Sequence, residues 1–153
     1  MNKLLILATI LCFFASPCFS QDKPAGETSK ETLVFIVNSE APIWKDMNAK
    51  DIKNIFLGKI KNRDSIHILP TIRHNEDLKN EFLDLYIGLS ANRFKSYWVK
   101  AVFSKGGERP KEFESLDELL NFIGEHTGAI GFARNSEIEE LPDGVKTLTI
   151  QPE

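Results

Sequence analysis

Leu33-Val34-Phe35-Ile36-Val37 is an unbroken apolar run rich in β-branched side chains, the pattern of a strand buried on both faces. After a turn at 38–43 the period changes to that of a helix, with Ile52, Ile55 and Phe56 on one apolar face. Asn48 is placed to cap this helix, and Asp51 falls in its first turn, where an acid favours the dipole. Met47 and Ile52 have the spacing of a hydrophobic staple, and Gly58 is expected to close the helix at positive φ. Polar residues 59–65 form a loop. Ile66 to Ile72 alternates imperfectly and predicts a second strand, with Pro70 marking part of it as an edge or an end.

That strand runs through Thr71 and Arg73 into a tight corner, and a helix begins after Asn75 with Leu78, Phe82, Leu85 and Tyr86 on its inner face and Gly88 at its end. Ser90 caps the next helix, with Leu89 and Phe94 as staple partners. Phe94, Tyr97, Trp98, Ala101 and Val102 follow the helical period. The aromatic set Phe82, Tyr86, Phe94, Tyr97, Trp98 and Phe103 is accordingly expected in the core. Residues 104–110 read as a loop. Ser115 and Glu118 form a capping box before Leu116, Leu119, Leu120 and Ile123. Residues 127–132 turn into a short strand, and 145–150 alternate as a last one. Strands interleaved with helices predict an α/β sandwich of layers.

Composition places limits on this picture. A chain of 153 residues, 42% hydrophobic and 27% charged, suits one soluble globular domain. A formal charge of −3 leaves no basic excess for phosphate-backbone contacts, which argues against a nucleic-acid partner. Residues 1–20 have the form of a secretory leader: Lys3 is followed by an apolar run, Leu4 to Phe14, shorter than the roughly 20 residues of a membrane span. Cys18 and Ser20 stand at the small-residue positions before a cut after Ser20, and Pro17 fits a lipoprotein cysteine at Cys18 poorly. The expected organisation is a leader at 1–20, a polar lead-in at 21–32 and a domain at 33–150. The expected location is the periplasm or the medium, with no membrane span after cleavage. Both cysteines, Cys12 and Cys18, lie in the leader, so the mature chain has neither disulfide nor thiol nucleophile.

The chemistry-bearing stretch is the corner from Thr71 to Phe82. Helix N-termini present unpaired N–H groups and a positive dipole end to anions. Here the corner brings a cation, Arg73, followed by two acids, Glu76 and Asp77. A carboxylate roughly 5 Å from a bound anion repels it by about 3 kcal/mol at an effective dielectric of 20. Elsewhere the signals are weak. No serine has the context of a nucleophile elbow, and His67, His74 and His126 lie on or near loops. Arg73 beside His74 disfavours a divalent ion, and Lys105-Gly106-Gly107 reads as an ordinary turn before an anion nest. No catalytic residue, metal or cofactor is expected.

Three stretches in order carry a resemblance: Ile55-Phe56-Leu57-Gly58-Lys59 with the strand ending in Arg73 and then Phe82; Tyr97-Trp98 with Phe103-Ser104-Lys105-Gly106 and Pro110; and Thr127-Gly128-Ala129-Ile130-Gly131-Phe132. Over about residues 33–150 the chain resembles the phosphate ABC transporter substrate-binding protein family, most closely its short, single-domain, periplasmic-binding-protein-like members. The resemblance implies an α/β fold of the type II periplasmic-binding class, a single lobe with a mixed sheet flanked by helices. It also implies an arginine at a strand end, which Arg73 matches, before a Ser-Gly-Thr that holds phosphate. This chain reads Asn75-Glu76-Asp77-Leu78 there. The implied anion contacts are Arg73, His74 and Asn75, and the implied partners are phosphate or another small anion, a transport permease, or a second protein lobe. The function expected is that of a non-enzymatic, exported solute-binding-like protein that holds its anion weakly if at all. The alternative is an envelope interaction or adaptor module that kept the lobe and lost the ligand.

Overall fold

The computed structural model describes residues 32–153. The expected leader at 1–20, and the lead-in at 21–32 except Thr32, lie outside the described residues. In chain order the elements are β1 (Leu33–Asn38), α1 (Ala49–Phe56), β2 (Asn62–Arg63), β3 (Ile66–His67), β4 (Leu69–Arg73), α2 (Glu76–Phe82), α3 (Ala91–Lys105), β5 (Lys111–Phe113), α4 (Leu116–Glu125), β6 (Ala129–Arg134) and β7 (Val145–Leu148). A wide-turn extension, Leu83–Ile87, continues α2 to Gly88.

The main sheet is mixed, in the order β5-β4-β6-β1-β7. β1 is antiparallel to both β6 and β7, whereas β4 runs parallel to β5 and β6. Every residue of β1 is buried, and the alternation of its side chains explains why. Phe35 and Val37 enter the larger core with Ile52, Phe56, Leu78, Phe82 and Trp98, contributed by α1, α2 and α3. Ile36 enters a smaller core on the opposite face with Leu119, Leu120 and Ile123 of α4. A strand between two helical layers has no polar face, which is why the run is continuous.

Local signals act as the sequence implies. The Asn48 side chain accepts a hydrogen bond from the Asp51 N–H at 3.0 Å, and the Asp51 carboxylate accepts one from the Asn48 N–H at 3.3 Å. Gly58 has φ +65°, and a Cβ there would lie 2.7 Å from Cη2 of Trp98. The neighbouring Tyr97 hydroxyl donates to the Leu57 carbonyl at 2.6 Å. Two of the motif stretches thus meet in space: the indole needs the bare glycine, and the phenol ties the end of α1 to α3.

Four readings change or narrow. The stretch from Ile66 to Ile72 is divided, because Asp64 and Ser65, at φ 48° and 67°, turn β2 back on β3 before β4 begins. Of the two readings of Pro70, an edge or an end, the structure has the end: Pro70 is the second residue of β4, which is itself an interior strand. Its missing N–H is directed to the β5 side, where pairing starts only at Thr71↔Lys111. Strand β5 was not anticipated, since three residues with two exposed carry no readable alternation. Finally, Phe103 is 88% exposed because its position on α3 faces away from Phe94, and Val102, one turn beyond Trp98 at the end of the helix, is exposed too. Capping is also more varied than expected. Ser90 has the cap conformation without a side-chain bond. Ser115 caps the Glu118 N–H, but the Glu118 carboxylate takes the amide of Glu114 instead of closing the box.

Candidate functional site

β4 delivers the corner to the end of the sheet where β5 and β6 also finish. The His74 N–H donates to the Phe113 carbonyl at 2.7 Å, fixing the corner to β5. The Asn75 N–H then donates back to the Arg73 carbonyl at 2.8 Å. The Asn75 side chain caps α2 by accepting from the Leu78 N–H at 3.0 Å. Its amide oxygen is therefore engaged in the helix start. The first-turn residues, Glu76 and Asp77, carry their carboxylates at this same end.

Arg73 does not face solvent as a free cation. Its side chain is only 11% exposed, and Nη2 lies 2.5 Å from Oε1 of Glu137. Glu137 comes from a short turn, Asn135–Glu137, directly after β6. Its second oxygen accepts from the Arg134 N–H at 3.1 Å. Arg134 in turn reaches Glu81 of α2 at 3.2 Å. Two arginine–carboxylate pairs, Arg73–Glu137 and Arg134–Glu81, consequently strap β4, α2 and the end of β6 together.

Burial alone would raise the Glu137 carboxyl. The hydrogen bonds from Arg73 and the Arg134 amide, with the charges of both arginines, outweigh burial and hold it below the usual carboxylate range. A depressed folded-state value stabilises the fold above the ordinary glutamate pKa, and that contribution disappears as pH falls through the lowered one. Stability should therefore decline in that acidic window more steeply in the wild type than in Glu137→Gln. Chemical unfolding at a series of acidic pH values checks this, and parallel curves for the two proteins would contradict it.

His74 lies in an acidic setting, 3.7 Å from Glu112 and 4.0 Å from Glu114, and is half exposed. The adjoining groove, of about 350 Å³, is lined by Ile72, Glu76, Lys79, Trp98, Arg109 and Glu112 among others, and not by Arg73. The other histidines are elsewhere. His67 Nδ1 is 3.1 Å from Asn62 Oδ1, and His126 stacks on Phe122 at 4.0 Å. Among the described residues no three His, Asp or Glu side chains form a metal-holding group, and no helix is long and apolar enough to cross a membrane.

The structure thus brings Arg73, His74 and Asn75 together, each with a protein partner. Sequence reasoning missed Glu137. It stands 64 positions from Arg73, and nothing in Asn135-Ser136-Glu137 signals that it will be returned to the end of β4.

A mixed sheet between helical layers, with parallel β4, β5 and β6 and antiparallel β1 and β7, matches part of the fold of PstS-like phosphate receptors. Two solved structures show the likeness. An ABC-type phosphate transport receptor from Vibrio cholerae superposes with a TM-score of 0.55 at 17% identity, over 78% of this chain and 46% of the receptor. PstS from Borrelia burgdorferi gives 0.54 at 18% identity, over 78% of this chain and 47% of its own. At such identity the shared property is the fold, and the chain spans about half the length of each neighbour. Neither a protein-family model nor a curated protein matches the sequence.

Proposed function

We propose that this protein is a non-enzymatic, exported solute-binding-like module whose anion corner is closed by its own carboxylate, and that it works as an envelope interaction or adaptor module. The observation that carries the reading is the Arg73–Glu137 pair, 2.5 Å apart and largely shielded from water. The arginine that would attract an anion already holds one, supplied by the chain.

Electrostatics supports the same conclusion. An anion touching Arg73 would also lie close to Glu137, whose repulsion at about 5 Å amounts to roughly 3 kcal/mol at an effective dielectric of 20. Displacing Glu137 instead would strand a partly buried carboxylate. Glu76, Asp77, Glu112 and Glu114 add negative charge around His74 and the start of α2. The roughly 1–2 kcal/mol that a favourable helix end supplies does not offset this. A transport permease or a second protein lobe remains the kind of partner that the fold suits, with the corner contributing structure.

Calorimetric titration of the mature protein with millimolar inorganic phosphate tests the proposal. No saturable heat is expected. Saturable heat in the wild type that Arg73→Ala abolishes would overturn the reading and restore a solute-binding role for Arg73, His74 and Asn75.

A further inference from the structure

The helix that departs most from expectation is α3. Phe103 is 88% exposed, Val99 45% and Val102 38%; these are the large exposed hydrophobic side chains among the described residues. They stand at i, i+3 and i+4 spacing on α3; Val99 and Phe103 point away from the buried Phe94, and Val102 lies one turn beyond Trp98 and borders the buried side. Apolar side chains grouped on one exposed face and rimmed by polar ones mark a contact surface rather than chance exposure.

The rim is cationic. From Leu85 to Gly107 the chain carries Arg93, Lys95, Lys100 and Lys105 and no Asp or Glu, although the whole chain has a net charge of −3. Lys95 lies one turn before Val99, and Lys100 lies one turn before Phe103. Arg93, Lys95 and Lys100 are exposed, and none has an acidic partner among the described residues. Elsewhere Arg73 pairs with Glu137, Lys79 with Glu112 and Arg134 with Glu81, while other cations such as Lys50 and Lys61 are likewise without an acidic partner among the described residues. What sets α3 apart is that its unpaired cations flank exposed apolar side chains in a stretch without acids.

We propose that the outward face of α3 is a docking surface for an anionic lipid bilayer, with Val99, Val102 and Phe103 entering the interfacial zone and Arg93, Lys95 and Lys100 meeting the headgroup phosphates. An aromatic and aliphatic ridge flanked by lysines is the composition of helices that lie in a membrane interface. Protein interfaces are enriched in arginine and depleted in lysine, whereas this rim is mostly lysine. The lysine stems are long enough to let the ridge sink while their ammonium groups stay at headgroup level. The surface meets the groove beside the corner only at Lys95 and uses neither Arg73, His74 nor Asn75, so the inference extends the adaptor reading without depending on it.

Co-sedimentation with vesicles of phosphatidylcholine, with or without phosphatidylglycerol, tests the proposal. The wild type is expected to pellet with the anionic vesicles, to stay in solution with the neutral ones, and to be released by salt. Each cation near an anionic surface contributes a factor of about five in affinity, so Lys95→Gln combined with Lys100→Gln should weaken binding about 25-fold. Phe103→Ser should abolish stable binding while leaving the unfolding midpoint unchanged, since the side chain is exposed. No association of the wild type with anionic vesicles would overturn the proposal. Equal binding by the wild type and both variants would do the same. Self-association that Phe103→Ser dissolves, without vesicle binding, would also overturn it and reassign the ridge to a second copy of the chain.

Discussion

Phe82→Ala is expected to destabilise the protein by about 3–5 kcal/mol, a large part of the total stability of a domain this size. Phe82 is fully buried at the meeting point of three elements. Its ring stacks on Phe132 of β6 with centroids 4.0 Å apart at 17°. It meets Phe56 of α1 edge-on at 4.7 Å and stacks on Tyr86 at 5.8 Å. Truncation removes the transfer free energy of the ring and leaves a cavity among side chains that are themselves held by other contacts, so collapse can recover little. Because Phe82 is the last residue of α2, its loss also loosens the helix whose other end is capped by Asn75. Urea unfolding followed by circular dichroism measures the effect. Phe82→Leu, which keeps most of the volume, should cost about 1.5 kcal/mol or less. A loss below about 1 kcal/mol for the alanine variant would show that the aromatic cluster is not the centre of the core.

Gly128→Ala should be comparably damaging for a different reason. A Cβ at Gly128 would overlap the carbonyl oxygen of His67 and lie 2.9 Å from its carbonyl carbon. The obstruction is backbone, so no rotamer change relieves it. The Gly128 carbonyl also accepts from the Leu69 N–H at 2.8 Å, the first bond of the seam between β4 and β6. Making room for one methyl group means opening that seam, and overpacking against a fixed backbone costs about 3 kcal/mol or more. The unfolding midpoint should fall accordingly, or the variant should fail to accumulate as a folded protein. A wild-type midpoint would mean that the two backbones do not approach as described.

These two positions also show which parts of the fold are legible in sequence. The Thr-Gly-Ala-Ile-Gly-Phe stretch is recognisable because close backbone approach admits no side chain at Gly128. The aromatic positions are recognisable because helical spacing puts Phe82 and Tyr86 on one face. Helix starts at Asn48 and Asn75 are equally readable, since a cap acts over three residues. Phe103 misled for an instructive reason. Aromatic content along α3 says that one face is buried, but not that a further aromatic beyond that face will follow it inside.

The site was less legible than the fold. Arg73 was identifiable as a strand-end cation, and His74 and Asn75 as its neighbours in the corner. Glu137, which decides what Arg73 can do, was not. A hydrogen-bond cap leaves a pattern within one helical turn, whereas the Arg73–Glu137 pair joins the end of β4 to the turn after β6, and these meet only after the two strands lie side by side in the assembled sheet. The same holds for Arg134 and Glu81, which are 53 positions apart.

By itself, then, the sequence determined the four helices and the longer strands, the caps at Asn48 and Asn75, the double burial of β1 and the position of a basic corner before α2. All of these are set by short-range periodicity and by backbone requirements acting over a few residues. Only the tertiary structure decided that Pro70 lies in an interior strand, that Phe103 and its neighbours form a basic-rimmed ridge on the surface, and that the Arg73 guanidinium is neutralised from within. Each of those depends on which distant segments become neighbours, and the physical cause is the packing of both helical layers on one mixed sheet. That packing carries the turn after β6 to the end of β4 and puts a carboxylate beside the arginine.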